Sequence, residues 1–554
     1  MTIRTNTTGL RYWMLRVLEE CDRAAAGFHA DPVHDLRVAL RRCRSMADGM
    51  MALDPDSAWK DLKKAGKKVF RSLGDLRDTQ IMMEWIEKLA PTVPHLDVAR
   101  ALPSTSSGQA LPAHPESNSN PTTTDASAAS SDTPEEPVQD PAHALLAILR
   151  QRETVQKHAA RATLDQFDRK QWRHWSKSLP LRAARIRLGS PVFKHLALER
   201  WTTARELHTL AMRNRSQVAL HTLRIGIKRF RYIVENFLPA EHKLWSNDLK
   251  HMQDLLGEIH DLDVLWATAI SCRVFHDQES RRGWHERIAE ERTKRINEYR
   301  GRTVGPDSLW NLWRAGLPQG KRVQQIATER MKLWARALDP DFLHSERVAN
   351  LALEIYDGLR STGLFGKDLN GSGSNTSSPD ERSALRIAAL LHDVGKARGN
   401  KGHHKESHAL IKTHLAPLGW NAATMQQAAV IARFHAGALP TRSHKLLRDL
   451  LPDEQKTIIR LSAILRLANA FDAEHDGRIR RVQIENAANG TITRRHINGP
   501  RRKPASLAKN EALIIGTEGY SAVSRTARSI AAERYLLETV LHHPIIVKPI
   551  ARVP

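Results

Sequence analysis

Apolar residues recur at helical spacing along most of the chain. Leu10, Trp13, Met14, Val17 and Leu18 open the pattern, and Leu351, Leu353, Ile355 and Leu359 repeat it far downstream. Steps of three and four residues put such side chains on one face of a 3.6-residue turn, so the chain up to about residue 475 is expected to be helical. Beyond it the period changes. VQIEN (482–486), GTITRR (490–495) and EALIIGTEG (511–519) read as short strands, and a helix from about Ala527 to His542 follows, which predicts a small α+β appendix.

Three segments interrupt the pattern. Residues 101–140 are rich in Ser, Thr, Pro and Ala, hold six acids and no Lys or Arg, and cannot bury a core; they read as a disordered acidic linker. Gly366 to Asp380 (GKDLNGSGSNTSSPD) reads as a surface loop. Around 301–321 a cluster of Gly and Pro marks an interdomain linker.

Composition then limits the partners. The 554 residues are too many for one compact domain. Lys and Arg number 85 against 61 acids, a net charge of +24, and because the acidic linker holds six acids and no cation, +30 rests on the remainder. Such a surplus suits nucleic acid, polyphosphate or an anionic membrane. No run approaches the roughly 20 apolar residues that span a bilayer, and the first residues lack a leader pattern, so a cytoplasmic protein is expected. Cys21, Cys43 and Cys272 are far apart and predict neither a disulfide frame nor a thiolate zinc site.

Part of the charge is duplicated. HDLRVALRRCR from His34 matches HTLRIGIKRFR from His221, and each is followed by a Leu-Gly-x-x-x-Asp string, from Leu73 and from Leu256. His34, Arg37, Arg41 and Arg44 step by 3, 4 and 3, as do His221, Arg224, Lys228 and Arg231, which lays four basic groups along one helical face in each copy. Lys60, Lys63, Lys64, Lys67, Lys68 and Arg71 extend the first stripe, while Lys243 and Lys250 make a sparser second one. A run of cations is usually just a solvated face, but such a face has little need of a repeated string. Like charges at these spacings cost an isolated helix about 0.2–0.5 kcal/mol per pair, and a shared anion reverses the sign.

These strings resemble the CHAD domain (conserved histidine α-helical domain), over about residues 8–300. The resemblance implies duplicated antiparallel helical bundles, here 1–100 and 141–300, and a basic channel for inorganic polyphosphate. By position the binders would be His34, Arg37, Arg41, Arg42, Arg44, Lys64, Lys67 and Arg71, with His221, Arg224, Lys228, Arg229 and Arg231; Asp78 and Asp261 would hold the stripes in register. His260 stands where the first copy has Arg77. Polyphosphate needs only a groove of cations, whereas single-stranded nucleic acid favours aromatic platforms. With aromatics at 5% of the chain, nucleic acid ranks second.

Past residue 322 the histidines take over. His344 lies in a helical stretch, His392 and Asp393 end an apolar helix as LLHDVGK, and His403, His404, His408, His435, Asn469, Asp472, His475 and Asp476 come after them. Adjacent imidazole and carboxylate with a distant His and acid form a mixed N/O set suited to a divalent transition metal. The order LLHDVGK, GHHKxSHxLI, IARxHxxALP, ILRLAxAxD resembles the HD domain at the C-terminus of the exopolyphosphatase and guanosine pentaphosphate phosphohydrolase family, expected at 322–477 with the appendix at 478–554; that family's actin-like catalytic domain is absent.

The resemblance implies one metal on His344, His392, Asp393 and an acid of the last helix. Asn469 stands where HD domains carry Asp, so Asp472 one turn later is the alternative. A second metal would use His404 or His408 and His435, with Glu406 where relatives often place another His. The implied activity is metal-assisted hydrolysis with Mn, Mg, Ni or Fe, with Asp393, Lys396 and Arg433 as the catalytic set, on polyphosphate or a phosphorylated nucleotide. The alternative is a non-catalytic polyphosphate-binding or targeting protein with a degenerate HD domain. No membrane partner is expected, and a polyphosphate ligand would associate the protein with polyphosphate granules.

Overall fold

The structure, a computed structural model, describes residues 9–89, 140–364, 380–485 and 512–550. The acidic linker apart from Asp140, the loop up to residue 379 and the GTITRR strand therefore lie outside the described residues. Among those described, no helix is long and apolar enough to cross a membrane.

Two bundles with the same wiring come first. In one, α1 (Leu10–Ala25), α2 (Ala30–Met51) and α3 (Ser57–Leu89) pack in succession, α4 (Pro141–Asp165) lies on α3, and α5 (Arg169–Ala183) lies on α1. In the other, α6 (Pro191–Asn214), α7 (Gln217–Phe237) and α8 (Pro239–Ser271) repeat the first three, α9 (Gln278–Thr303) lies on α8, and α10 (Leu309–Ala315) on α6. By sequence, 141–183 is expected in the second half, but the packing puts α4 and α5 with the first. In sequence, the acidic segment thus separates two helices, α3 and α4, of the same bundle.

α10 sits where a linker was expected. Trp310 and Trp313 are fully buried, as is Trp172 in α5, whose indole donates to the Met14 carbonyl at 2.9 Å. A Trp-x-x-Trp pair (Trp172 and Trp175, Trp310 and Trp313) closes each bundle, and Gly and Pro around a seven-residue helix hid the second. The two bundles meet through equivalent helices, α2 on α7 and α3 on α8. The far ends of α3, α4, α8 and α9 share a further core with Trp85, Leu145, Leu265 and Trp284.

α11 (Lys321–Arg336) belongs to two cores. Ile326 packs with the bundles, whereas Met331, Trp334 and Ala335 pack with a second, C-terminal unit. That unit comprises α12 (Phe342–Ser361), α13 (Glu381–Leu391), α14 (His403–Thr413), α15 (Ala422–Arg433) and α16 (Pro452–Phe471). A small sheet trails it, in the order β1 (Arg481–Glu485), β2 (Leu513–Glu518), β3 (Ile545–Ile550). β1 and β2 are antiparallel, and β2 and β3 are parallel, joined by α17 (Arg525–Leu541), which packs on α16. The fold is mainly α with a small α+β appendix; β3, too short and Pro-interrupted for a clear period, was not anticipated.

Candidate functional site

The repeated strings fall on α2 and α7, the helices that face each other across the bundles. Their shared surface is cationic. Lys228 of α7 is half-buried beside Arg224 and across from Arg41, Arg37 and Arg44 of α2; burial first, then those four charges, pushes its ammonium down to about 8. Arg41 and Lys228 both lie over the Tyr232 ring, at 5.7 and 6.0 Å, and Arg37 and Arg44 over Phe70, at 5.2 and 4.8 Å. The Arg44 Nε and the Tyr232 hydroxyl are buried without a partner.

The Leu-Gly-x-x-x-Asp string is explained by this packing. Arg37 donates to the Leu73 carbonyl at 2.8 Å, over Gly74, where a Cβ would sit 3.0 Å from its guanidinium. One turn on, Asp78 lies in the field of Arg37, Arg224 and Lys228, two of them from the other bundle. Its counterpart Asp261 is pushed up to about 6 by burial, against the pull of Arg224. His221 and His260 face each other at 3.3 Å, and burial followed by Arg224, His221 and Lys228 pushes His260 down to about 4.

Other predicted binders are placed differently. Lys64, Lys67 and Arg71 are exposed on α3, and His34 and Arg229 are exposed on α2 and α7. Arg231 lies 3.8 Å from Glu235. Arg42 forms an ion pair with Glu235, approaches Asn236 at 3.4 Å and lies over Trp13, so it pins the α2–α7 crossing.

Four elements bring the histidines of the second unit together. α12 presents His344, the end of α13 presents His392 and Asp393, α14 begins with His403, and His435 follows α15. Each ring is oriented through Nδ1: His392 to Ala389 O at 2.7 Å, His435 to Ala432 O at 2.7 Å, His403 to Asn400 O at 2.9 Å, and His344 to the Asp472 carboxylate at 2.8 Å. A carbonyl or carboxylate only accepts, so Nδ1 carries the proton, and in His392, His403 and His435 Nε2 is left with a lone pair. All four Nε2 atoms converge on Asp393.

Two groups that could hold a metal ion share that carboxylate, His344, His392 and Asp393 in one and Asp393, His403 and His435 in the other. One oxygen lies 3.4 Å from His392 Nε2 and 3.9 Å from His344 Nε2; the other lies 3.2 Å from His403 and 3.6 Å from His435. Ligands each about 2.1 Å from one ion are separated by such distances. Two features fit cations here. His392 Nε2 is buried with no partner, and the His403 and His435 Nε2 lone pairs face each other at 2.9 Å. Burial opposes ionisation of Asp393, but His392, His403, His435 and Lys396 outweigh it and hold the carboxyl far below its usual range.

Several expectations are corrected. His403, not His404 or His408, joins His435; at the first position of α14, behind left-handed Gly402, it alone of the three points back to the His-Asp turn. Asp472, the expected alternative to Asn469, holds His344 from the Nδ1 side together with Arg347. Asn469 Oδ1 lies 2.9 Å from His344 Nε2, on the side that faces Asp393. His475, stacked on His344 with centroids 3.8 Å apart, is an unanticipated support. Lys396 pairs with Asp393. Gly395 is dictated by the approach of α14: a Cβ there would lie 2.1 Å from His403 O.

Comparison with known families divides the chain as the two sites do. Residues 14–269 match the CHAD domain, and 320–509 match the Ppx/GppA phosphatase domain III. No curated protein matches the chain. The cationic α2–α7 surface falls in the first match and every candidate ligand in the second. The chain thus carries a CHAD domain and, C-terminal to it, a unit like domain III of the Ppx/GppA phosphatases.

Proposed function

We propose that the protein binds inorganic polyphosphate in the α2–α7 groove and hydrolyses a phosphoanhydride at the His/Asp centre. The substrate is polyphosphate itself or a phosphorylated nucleotide. What carries the reading is Asp393, which offers one oxygen to each of two histidine groups around a buried, partnerless His392 Nε2. His344, His392 and Asp393 would hold one divalent cation (Mn, Mg, Ni or Fe), and Asp393, His403 and His435 the other. Such cations supply a water of lowered pKa and charge neutralisation at a phosphoryl group. The chain's own residues position: Asp472 and three backbone carbonyls lock the rings, Lys396 balances Asp393, and the groove retains a polyanion by charge without reading any sequence.

A second reading, polyphosphate binding without hydrolysis, is favoured by the neutral Asn469 beside His344 Nε2. Metal analysis of the purified chain with a phosphate-release screen over Mn, Mg, Ni and Fe decides. Release that disappears in His392→Ala plus Asp393→Ala supports hydrolysis; no release with any metal, or release unchanged in that variant, sinks it. Arg37→Glu plus Arg224→Glu should abolish polyphosphate binding, and intact binding would remove the groove.

A further inference from the structure

Arg433 has no task in the ligand set. It ends α15 two residues before His435, lies half-buried with its guanidinium 5.7 Å over the Phe434 ring, and its Nη1 is buried without a partner. Among the described residues no carboxylate pairs with it. Around it stand His404 and His408, one turn apart on α14, and His444, whose ring lies 4.9 Å from the same Phe434. His444 Nδ1 accepts from the Leu446 amide at 3.2 Å, which leaves its Nε2 as a donor. The His404 ring is 5.8 Å from that of His403 and 6.3 Å from that of His435. This is one unpaired guanidinium with three imidazoles around it, of which His404 also stands beside the candidate ligand rings, and among the described residues no carboxylate pairs with the guanidinium.

We infer that Arg433, His404, His408 and His444 seat the phosphate adjacent to the one at the His/Asp centre. The substrate class this implies is a condensed phosphate, two or more linked phosphoryl groups, as opposed to a phosphomonoester. The inference rests on the hydrolase reading for the position of the first phosphate, and the buried Nη1 supplies the independent reason for an anion.

Pyrophosphate and orthophosphate are titrated by calorimetry into the full chain with and without Mn, in wild type, Arg433→Gln and His444→Gln. Each variant is compared with wild type, so any contribution of the CHAD groove cancels. Arg433→Gln should lower pyrophosphate affinity by about 10- to 100-fold, the loss expected for a charged hydrogen bond, while orthophosphate affinity changes less than about twofold. His444→Gln, in the loop between α15 and α16, should lower pyrophosphate affinity by several-fold in the same selective way. Equal loss for both ligands, or no loss for either, overturns the seat. Arg433-dependent pyrophosphate binding in a chain that releases no phosphate with any metal keeps the seat and overturns the hydrolase. Phosphate release with an unchanged affinity ratio does the reverse.

Discussion

Arg330 is the junction between the two units, and its removal should be measurable in the stability of both. From α11 it pairs with Glu199 of α6 at 2.6 Å; Glu199 also accepts from the Leu418 amide at 2.9 Å, and His195 meets the Leu418 carbonyl at 2.8 Å. The Arg330 and Glu199 side chains are 8% and 20% exposed, so Arg330→Met leaves a carboxylate largely out of water with a single backbone donor. Removing one partner of a buried pair costs about 3–5 kcal/mol, and the surviving Leu418 bond places this case near 3 kcal/mol. For units of this size that is a fall of about 6–12 °C in midpoint. Tryptophan fluorescence and circular dichroism during thermal unfolding would report it. Burial raises the Glu199 pKa but Arg330 more than offsets it, so the pair's contribution is present at neutral pH and is lost as the carboxyl protonates in acid. In Arg330→Met burial is opposed only by the Leu418 amide and His195, so the destabilisation should be largest near pH 7 and shrink toward acid. Arg330→Met with Glu199→Leu should recover most of the loss. A shift under about 2 °C, or a double variant as unstable as the single, would refute the reasoning.

Three further outcomes are expected at the sites. Lys228, held down to about 8, is charged below that pH and neutral above it, so polyphosphate affinity at fixed ionic strength should fall from pH 7 to 9. Lys228→Arg should abolish that fall, read by anisotropy of a labelled chain. Asp472→Ala frees the His344 ring without removing a ligand and should weaken the metal on His344 and His392 by about 10- to 100-fold in chelator competition. Gly395→Ala drives a Cβ into His403 O and Ser407 N, so α14 must shift; bound metal per chain should fall, and full occupancy would argue against the shared carboxylate.

How much of this was legible along the chain depended on what a periodicity encodes. The spacing of apolar residues fixes that a segment is helical and which face is buried, and the mainly α fold came from it. It does not say what the face meets. Nothing local told α4 that it packs on α3 across a long acidic insertion, or that α10 is a helix closing the second bundle.

The same limit governed the sites. Residue type and spacing were enough to specify the duplicated cationic faces, the His-Asp pair and the set of histidines available. Their roles were set by packing. Arg42 belongs to the same basic string as Arg41 and Arg44, yet it stands about 100° round the helix from Arg41 and meets Glu235 of α7. His403 and His404 are neighbours in sequence, but successive helical positions diverge by about 100°, so one reaches Asp393 and the other turns toward Arg433. Asp472 and Asn469 lie a turn apart near the end of α16 and approach opposite nitrogens of one imidazole. The two side chains are then separated by a ring's width, a distance that only packing fixes.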